Sequence, residues 1–271
     1  MIKKVLNFIL NLIMSVLVLV LICINIIFGT IYNKEYIKEK LNENKFYDRA
    51  YSDIKEDFEN YTMQSGLELE ILDGLISKEK VFQDINKKID SIYSGKKVEI
   101  ETDSIRNELD SRINSALEKN NRIPSDSEKL SITKYEDAII QSYESGILYG
   151  KTFSIENNYL KISRTSCITG IIIISIILIL INKSFLKYIS CIGVNLLFSG
   201  ILCSSLRYLL DKRIMHILIL DKKFSNFLVN TLLEISNIFY ENGMIFIVVG
   251  VLFIVIGSLE KFKKTIENKE V

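Results

Sequence analysis

Few residues in this 271-residue chain are suited to covalent or metal chemistry, and they lie far apart. The four cysteines, Cys23, Cys167, Cys191 and Cys203, all lie in apolar runs, and His216 is the only histidine. Zinc sites need cysteine or histidine ligands at short, paired spacings, and no such spacing occurs here. Because no cysteine lies in the acidic part of the chain, we also expect no disulfide framework there.

Motifs of the common enzyme classes are also missing from the sequence. It contains no Gly-x-Ser-x-Gly, no His-Glu-x-x-His and no glycine-rich phosphate loop. Its single histidine is the only imidazole for acid–base catalysis. We therefore predict that the protein is not an enzyme and has no catalytic residue, no cofactor and no metal. His216 is expected to be a surface or interfacial histidine.

Charge divides the chain into two kinds of sequence. Residues 33–160 hold 19 Lys/Arg and 26 Asp/Glu, a net charge of −7, and the remainder holds 15 and 7, a net charge of +8. An acidic region facing water disfavours nucleic-acid binding, and a hydrophobic content of 48% disfavours disorder. One proline and 12 glycines predict long, uninterrupted helices.

Four apolar runs are long enough to cross a bilayer, whose hydrocarbon core needs about 20 helical residues. We interpret the first run as an uncleaved span, because it exceeds the roughly 7–15 apolar residues of a signal peptide and no Ala-x-Ala site follows. The last run is expected to begin earlier, near residue 237. The four runs are residues 5–31, 165–182, 188–206 and 244–259.

Positive charge near the ends of the spans predicts their orientation. With the N-terminus inside, the inner pieces are residues 1–4, 183–187 and 260–271, which hold eight lysines in 21 residues. We therefore predict a multipass protein of the cell membrane with both termini in the cytoplasm. The cytoplasmic pieces are too short to hold a folded domain. The eight residues are Lys3, Lys4, Lys183, Lys187, Lys261, Lys263, Lys264 and Lys269.

Apolar residues at helical spacing predict helices throughout the acidic region. One helix is expected over 34–62 with a stop at Gly66, followed by a short helix over 67–73. Ser77 is expected to cap the next helix, which Gly95 ends. Thr102 or Asp103 should cap another, and the last should begin between residues 127 and 133. Residues 98–102 alternate and could form a brief extended piece.

The predicted fold class is therefore all-α, with four transmembrane helices and an all-helical extracytoplasmic domain inserted between the first and second spans. Residues 207–243 are expected to form an outer loop of two amphipathic helices, capped by Asp211 and Asp221, that lies at the membrane interface or packs beneath the acidic domain. The predicted divisions are 1–32 (start and first span), 33–163 (acidic helical domain), 164–206 (hairpin of the second and third spans), 207–243 (outer loop) and 244–271 (fourth span and tail).

Small residues recur every seven positions in the last two spans. Gly193 and Gly200 lie in the third span, and Gly243, Gly250 and Gly257 lie in or just before the fourth. Small residues on one face let membrane helices approach closely, so we expect these spans to pack on each other or on a second copy. The other interpretation is a chance enrichment of glycine. On the packing interpretation, Ile254 should face lipid.

Asparagines mark a face of the first span. Asn7, Asn11 and Asn25 are predicted to share that face, and Asn195 lies in the middle of the third span. An amide facing lipid would lack hydrogen-bond partners, so this face should point into the helix bundle. No Asp, Glu, Lys, Arg or His lies in the interior of a span, which disfavours ion-coupled pumps and proton relays.

One stretch resembles a group of uncharacterised multipass membrane proteins of low-GC, Gram-positive bacteria. The stretch is FYDRAYSDIKEDFENY followed by QSGLELEILDGLISKEKVFQDINKKIDSIYSGKKVEIETDSI, within residues 46–105. The shared features are a Tyr-Asp start, a Gly-Leu turn, an EKV-x-x-DI helix and an IY-x-G end. The resemblance implies a membrane protein with an extracytoplasmic helical domain and carries no activity.

These observations predict an integral membrane envelope protein without enzymatic activity. Its extracytoplasmic domain would bind a partner protein, a peptide or a wall component, and its partners would include the lipid bilayer and a protein or a second copy, but no nucleic acid. The alternative is a permease-like subunit of a transport system, although the 183–187 turn is short for an ATPase-coupling helix. A lipid-modifying enzyme is a third possibility that lacks a visible catalytic set.

Overall fold

A computed structural model describes residues 2–96, 98–147, 158–182, 184–214 and 222–267. The regular elements in these ranges are all helices, which confirms the predicted all-α class. They are α1 (Ile2–Gly29), α2 (Lys34–Glu43), α3 (Phe46–Ser65), a 3₁₀ turn (Leu69–Leu72), α4 (Lys78–Ser94), α5 (Asp103–Lys119), α6 (Asp126–Ile147), α7 (Asn158–Asn182), α8 (Phe185–Ile214) and α9 (Lys222–Glu267).

The chain divides into two compact units. Met1–Asn33 and Glu156–Val271 form one unit, which we call the apolar unit. Lys34–Ile155 forms the other, the polar unit, and lies between α1 and α7 in the sequence. Each unit has its own buried core, so each is described separately.

The core of the polar unit comes from one apolar stripe on each of four helices, α3 to α6. A stripe at positions i, i+3 and i+4 lies on one face of a helix, which explains why these helices bury one side and expose the other. Most of the apolar residues on these stripes are buried. The most deeply buried are Ile54 and Phe58 of α3, Val81, Ile85 and Ile89 of α4, Ile105, Leu109 and Ile113 of α5, and Ile139, Tyr143 and Ile147 of α6.

Local signals in the sequence set several helix ends. The Ser77 hydroxyl accepts a 3.1 Å hydrogen bond from the Lys80 amide, which confirms the predicted cap of α4. Gly66 ends α3 with φ 73°, a left-handed conformation that glycine adopts without strain. At α6, Ser125 and Glu128 bond to each other's amides, and this reciprocal pair fixes the first turn.

The predicted helix over 34–62 is interrupted. α2 ends at Glu43 and α3 begins at Phe46, with Lys45 between them at φ 52°. The backbone amide and the side-chain amide of Asn44 both donate to the Lys40 carbonyl, at 3.1 and 2.8 Å, and together close the last turn of α2. Residues 98–102 form no regular element and link α4 to α5.

Four helices of the apolar unit are long and apolar enough to cross a membrane. The candidate spans are Lys3–Gly29, Asn158–Asn182, Phe185–Ile214 and Phe227–Leu259. At most 33% of the most apolar window in each is buried within the protein, so large apolar side chains face outward along all four. A continuous apolar surface of this kind needs lipid or another protein to cover it.

The region expected to form a separate outer loop instead lengthens two of these helices. Residues 207–214 continue α8 and residues 222–243 continue into the apolar part of α9, so Asp211 lies inside α8 and caps no separate helix. No proline or glycine occurs between residues 201 and 242, so the sequence has no helix-breaking residue in the described parts of the expected loop. Asp221 and His216 lie outside the described residues.

Candidate functional site

The five heptad glycines lie at the contact between α8 and α9. A Cβ added to Gly193 would lie 2.7 Å from the Gly250 carbonyl oxygen and 2.8 Å from the Ile254 nitrogen. A Cβ on Gly200 would lie 2.7 Å from the Gly243 carbonyl oxygen. The helices run antiparallel, and a seven-residue step along one matches a seven-residue step back along the other. Real Cβ contacts are longer, so only glycine fits these positions without a shift.

The same contact continues at both ends of the pair. An added Cβ on Gly257 would lie 2.7 Å from the Leu186 carbonyl oxygen, and one on Gly243 would overlap the Ser204 hydroxyl. These are contacts with backbone or with a short side chain, which have little freedom to move away. The glycines therefore form one continuous seam between α8 and α9 within the apolar unit.

The expectation that Ile254 faces lipid is wrong. Its backbone nitrogen and its Cγ1 atom would lie 2.8 and 2.9 Å from a Cβ on Gly193, and the residue is half-buried. Ile254 follows Gly250 by four residues, which is about 40° beyond a full turn, so both lie on the face that meets α8.

A second contact in the apolar unit joins α1 to α8 through buried hydrogen bonds, and we call it the polar seam. Asn195 donates a 2.9 Å bond to the Asn11 side-chain oxygen and accepts a 3.0 Å bond from the Ser15 hydroxyl. Ser199 donates a 2.7 Å bond to the Ser15 carbonyl oxygen. Asn11 also donates a 2.7 Å bond to the Asn7 carbonyl oxygen.

The polar seam is buried inside an apolar surrounding. Asn195, Ser15 and Ser199 are 1%, 4% and 0% exposed. Hydrogen bonds between apolar helices add specificity of pairing and modest stability, because the amides would otherwise lack partners. The sequence singled out the asparagines but not the serines. Their spacing could have predicted them, because Ser15 follows Asn11 and Ser199 follows Asn195 by about one helical turn, which places each serine on the same face as its asparagine.

Asn25 does not join the polar seam, because its side chain is exposed. Four buried apolar residues of α1, Met14, Val18, Ile22 and Ile26, follow one another at four-residue steps. On an α-helix each four-residue step lies about 40° beyond a full turn, so the buried face winds around α1. The buried face of α1 therefore includes Asn11 near the start of the helix but no longer includes Asn25 near its end.

The polar unit carries an open groove of about 700 Å³ beside α4, α6 and the 98–103 link. Val98, Ile100 and Ile147 supply its apolar lining. The charged residues along it are mostly acidic, with a single lysine among the described lining residues. These charged residues are Lys88, Glu99, Glu101, Asp103 and Glu144.

A buried hydrogen bond fixes the two helices that flank this groove. The Tyr143 hydroxyl of α6 donates a 2.8 Å bond to Asp84 of α4, whose side chain is 2% exposed. Lys80 and Lys87 lie 3.4 and 3.3 Å from the same carboxylate and balance its charge. Burial and the nearby carboxylate both raise the pKa of Tyr143, so the hydroxyl stays protonated and able to donate.

Within the described ranges, no group of three or more His, Cys, Asp or Glu side chains is arranged to hold a metal ion. The four cysteines are free thiols. No protein-family model, curated protein or solved structure matches the chain.

Proposed function

We propose that this chain is a multipass protein of a bacterial cell membrane that binds a partner without catalysis. In this proposal the polar unit lies on the extracytoplasmic side and both termini lie in the cytoplasm. The observation that carries the proposal is the groove of the polar unit, with its apolar lining and acidic rim. Such a groove suits a peptide or a protein segment that combines basic and apolar side chains.

Two features of the groove support binding to a basic partner. Its described charged lining residues are four carboxylates and one lysine, and the carboxylates of Glu99, Glu101, Asp103 and Glu144 are all on exposed residues. Complementary charge speeds encounter and selects against acidic partners, and the apolar lining adds affinity on contact. The Tyr143–Asp84 bond holds α4 and α6 in place, which reduces the entropy lost on binding.

Site-specific photo-crosslinking in intact cells tests the proposed groove. A photoreactive residue at Glu101 or Glu144 should give an adduct with one partner, whereas the same residue at Glu118, an exposed carboxylate outside the groove, should not. Reversing the groove charge with Glu144→Lys should lower the Glu101 adduct several-fold, and Glu118→Lys should not. Equal adducts from positions 101 and 118 would refute the groove.

Cysteine labelling tests the proposed orientation. In a variant whose native cysteines are replaced, a cysteine at Asn120 should react with an impermeant maleimide in intact cells, and one at Glu270 should not. The reverse pattern would overturn the orientation. The alternative, a permease-like subunit, predicts an ATPase that co-purifies with the protein whether or not the groove is altered.

A further inference from the structure

A second cavity of about 730 Å³ lies at one end of the apolar unit. The start of α1, the end of α7, the start of α8 and the Gly257–Ser258 step of α9 line it, so all four candidate spans meet there. We call it the lysine–asparagine cleft. Its polar lining includes Lys4, Asn7, Asn11, Asn182, Lys187 and Ser190.

The charge of this cleft is positive and uncompensated in the part of the apolar unit whose side chains are described. Lys4 and Lys187 both line it, and its described lining residues include no carboxylate. The carboxylates of the unit whose side chains are described, Asp211, Glu234 and Glu241, lie near the other end of the helices. Two lysines facing one cavity are a ready site for a phosphate group, which lysine binds as a point charge.

The polar lining is held in position by the polar seam. Asn11 lines the cleft and also accepts the hydrogen bond from Asn195, so the floor of the cleft is tied to α8. Asn182 donates a 2.8 Å bond to the Leu178 carbonyl oxygen at the end of α7. A bound headgroup would therefore meet amides and hydroxyls in an ordered arrangement.

Two exposed apolar tracks lead away from the lysines. On α1, Phe8, Leu12 and Val16 follow Lys4 at four-residue steps and are 70%, 48% and 47% exposed. Twelve helical residues rise about 18 Å, close to the roughly 15 Å thickness of one apolar leaflet.

The second track lies on α8, where Val194, Phe198 and Ile201 follow Lys187 on one face. These three residues are 51%, 42% and 45% exposed. Phe8 and Val194 themselves line the cleft, so each track begins inside it. A positive, polar cleft joined to two apolar tracks of leaflet length is complementary to the headgroup and acyl chains of a lipid. A free phosphate would use only the polar cleft.

We propose that the lysine–asparagine cleft binds an anionic glycerophospholipid, with its phosphate between Lys4 and Lys187 and its acyl chains along the two tracks. The site is distinct from the groove of the polar unit. It rests on the four apolar helices crossing a bilayer and does not depend on a protein partner. Basic pockets between membrane helices are established binding places for anionic headgroups in general.

Native mass spectrometry of the full-length, delipidated protein tests the headgroup, with phosphatidylglycerol as the probe and phosphatidylcholine as the neutral comparison. Lys4→Gln and Lys187→Gln should each weaken phosphatidylglycerol binding about fivefold, since one lysine near an anionic lipid contributes about 1 kcal/mol. Lys3→Gln is the matched control, because Lys3 is exposed at the same helix end but does not line the cleft. Its effect should be less than about twofold.

A second pair of variants tests the acyl tracks. Phe8→Ala should weaken binding of phosphatidylglycerol but not of glycerol phosphate, whereas Phe185→Ala should change neither. Phe8 and Phe185 are 70% and 71% exposed, and only Phe8 lines the cleft. Equal losses for Lys3→Gln and Lys187→Gln would overturn the site in favour of general surface attraction. Full displacement of the lipid by millimolar inorganic phosphate would overturn the lipid in favour of a free anion.

Discussion

Gly193 and Gly250 face each other so closely that a side chain on either would meet the backbone of the other. A Cβ on Gly193 would lie 2.7 Å from the Gly250 carbonyl oxygen, and a Cβ on Gly250 would lie 2.8 Å from that of Gly193. Between apolar helices no hydrophobic force holds the pair together in lipid, so close van der Waals packing must do so. The glycine seam is therefore where the α8–α9 pair is most sensitive to added volume.

Gly250→Ala should separate α8 from α9, because the added methyl would lie 2.6 Å from the Leu197 nitrogen, which is backbone and cannot rotate away. Overpacking of this kind costs about 1–3 kcal/mol. We expect a lower midpoint of thermal unfolding for the purified full-length protein in detergent. Gly29→Ala makes the same chemical change where no atom lies within 4 Å, and it should leave the midpoint unchanged. Equal midpoints for the two variants would contradict the seam.

Asn195→Leu should destabilise the apolar unit, because it removes two hydrogen bonds between α1 and α8 and takes away the donor to the Asn11 side-chain oxygen. The cost should be about 1 kcal/mol, the scale measured for hydrogen bonds between membrane helices. Asn25→Leu is the contrasting variant, and we expect it to be neutral or slightly stabilising because Asn25 is exposed. Thermal unfolding in nanodiscs measures both, and a larger loss for Asn25→Leu would show that α1 buries a different face.

The sequence predicted those features that depend on strong local signals. Ser77 capped α4, Gly66 ended α3, and the apolar stripes of α3 to α6 formed the core, because each signal acts within one or two helical turns. The glycine positions could be picked out for the same reason, since heptad spacing keeps small residues on one face whatever the partner helix is.

Features that depend on how helices pack were not predictable in the same way. Asn25 is exposed because the buried face of α1 winds around the helix, and that winding follows its contacts with α7, α8 and α9. The groove of the polar unit joins residues from α4, α6 and the 98–103 link, which lie far apart in sequence. The break between α2 and α3 could not be predicted from the residue type, because it places Lys45 at a positive φ that lysine rarely adopts.

The polar unit should fold when residues 34–155 are expressed alone. It forms a compact unit by itself, with a buried core of its own. Circular dichroism should show dominant helix and cooperative thermal unfolding. A reductant should change nothing, because no cysteine lies in this segment. A spectrum rich in β-structure, or the absence of a cooperative transition, would contradict this expectation.

The polar unit should also lose stability in alkaline solution. Burial raises the pKa of Tyr47 and of Tyr93 to about 12, and it raises that of Tyr143 as well. An unfolded tyrosine ionises near pH 10, so above that pH the folded state holds more protons and stability falls. Urea unfolding of the 34–155 fragment should show a constant midpoint up to about pH 9 and a fall above pH 10. In Tyr143→Phe the fall should be shallower, and an unchanged slope would contradict the role assigned to Tyr143.

Glu136 is a buried carboxylate of the polar unit whose charge is only partly compensated. Glu136 is 8% exposed, and its Oε1 atom has no hydrogen-bond partner among the described residues. Its Oε2 atom lies 3.8 Å from Arg106, which makes a shorter, 2.7 Å ion pair with Asp137. Burial, and then the charge of Asp110, raise the pKa of Glu136 above its usual range.

Glu136→Gln should therefore stabilise the fragment at neutral pH by an amount on the order of 1 kcal/mol, since it removes a buried charge that lacks full hydrogen bonding. A raised folded-state pKa means that the contribution of Glu136 to stability is present below about pH 4 and is lost as pH rises through the folded pKa. The advantage of the variant over the wild type should accordingly shrink towards pH 4 in urea unfolding. Asp137→Asn is the control: Asp137 is exposed, and breaking its pair with Arg106 should cost less than about 1 kcal/mol. If Glu136→Gln were instead more destabilising at pH 7 than Asp137→Asn, the attraction of Arg106 would outweigh the burial of Glu136, and this explanation of its pKa would be wrong.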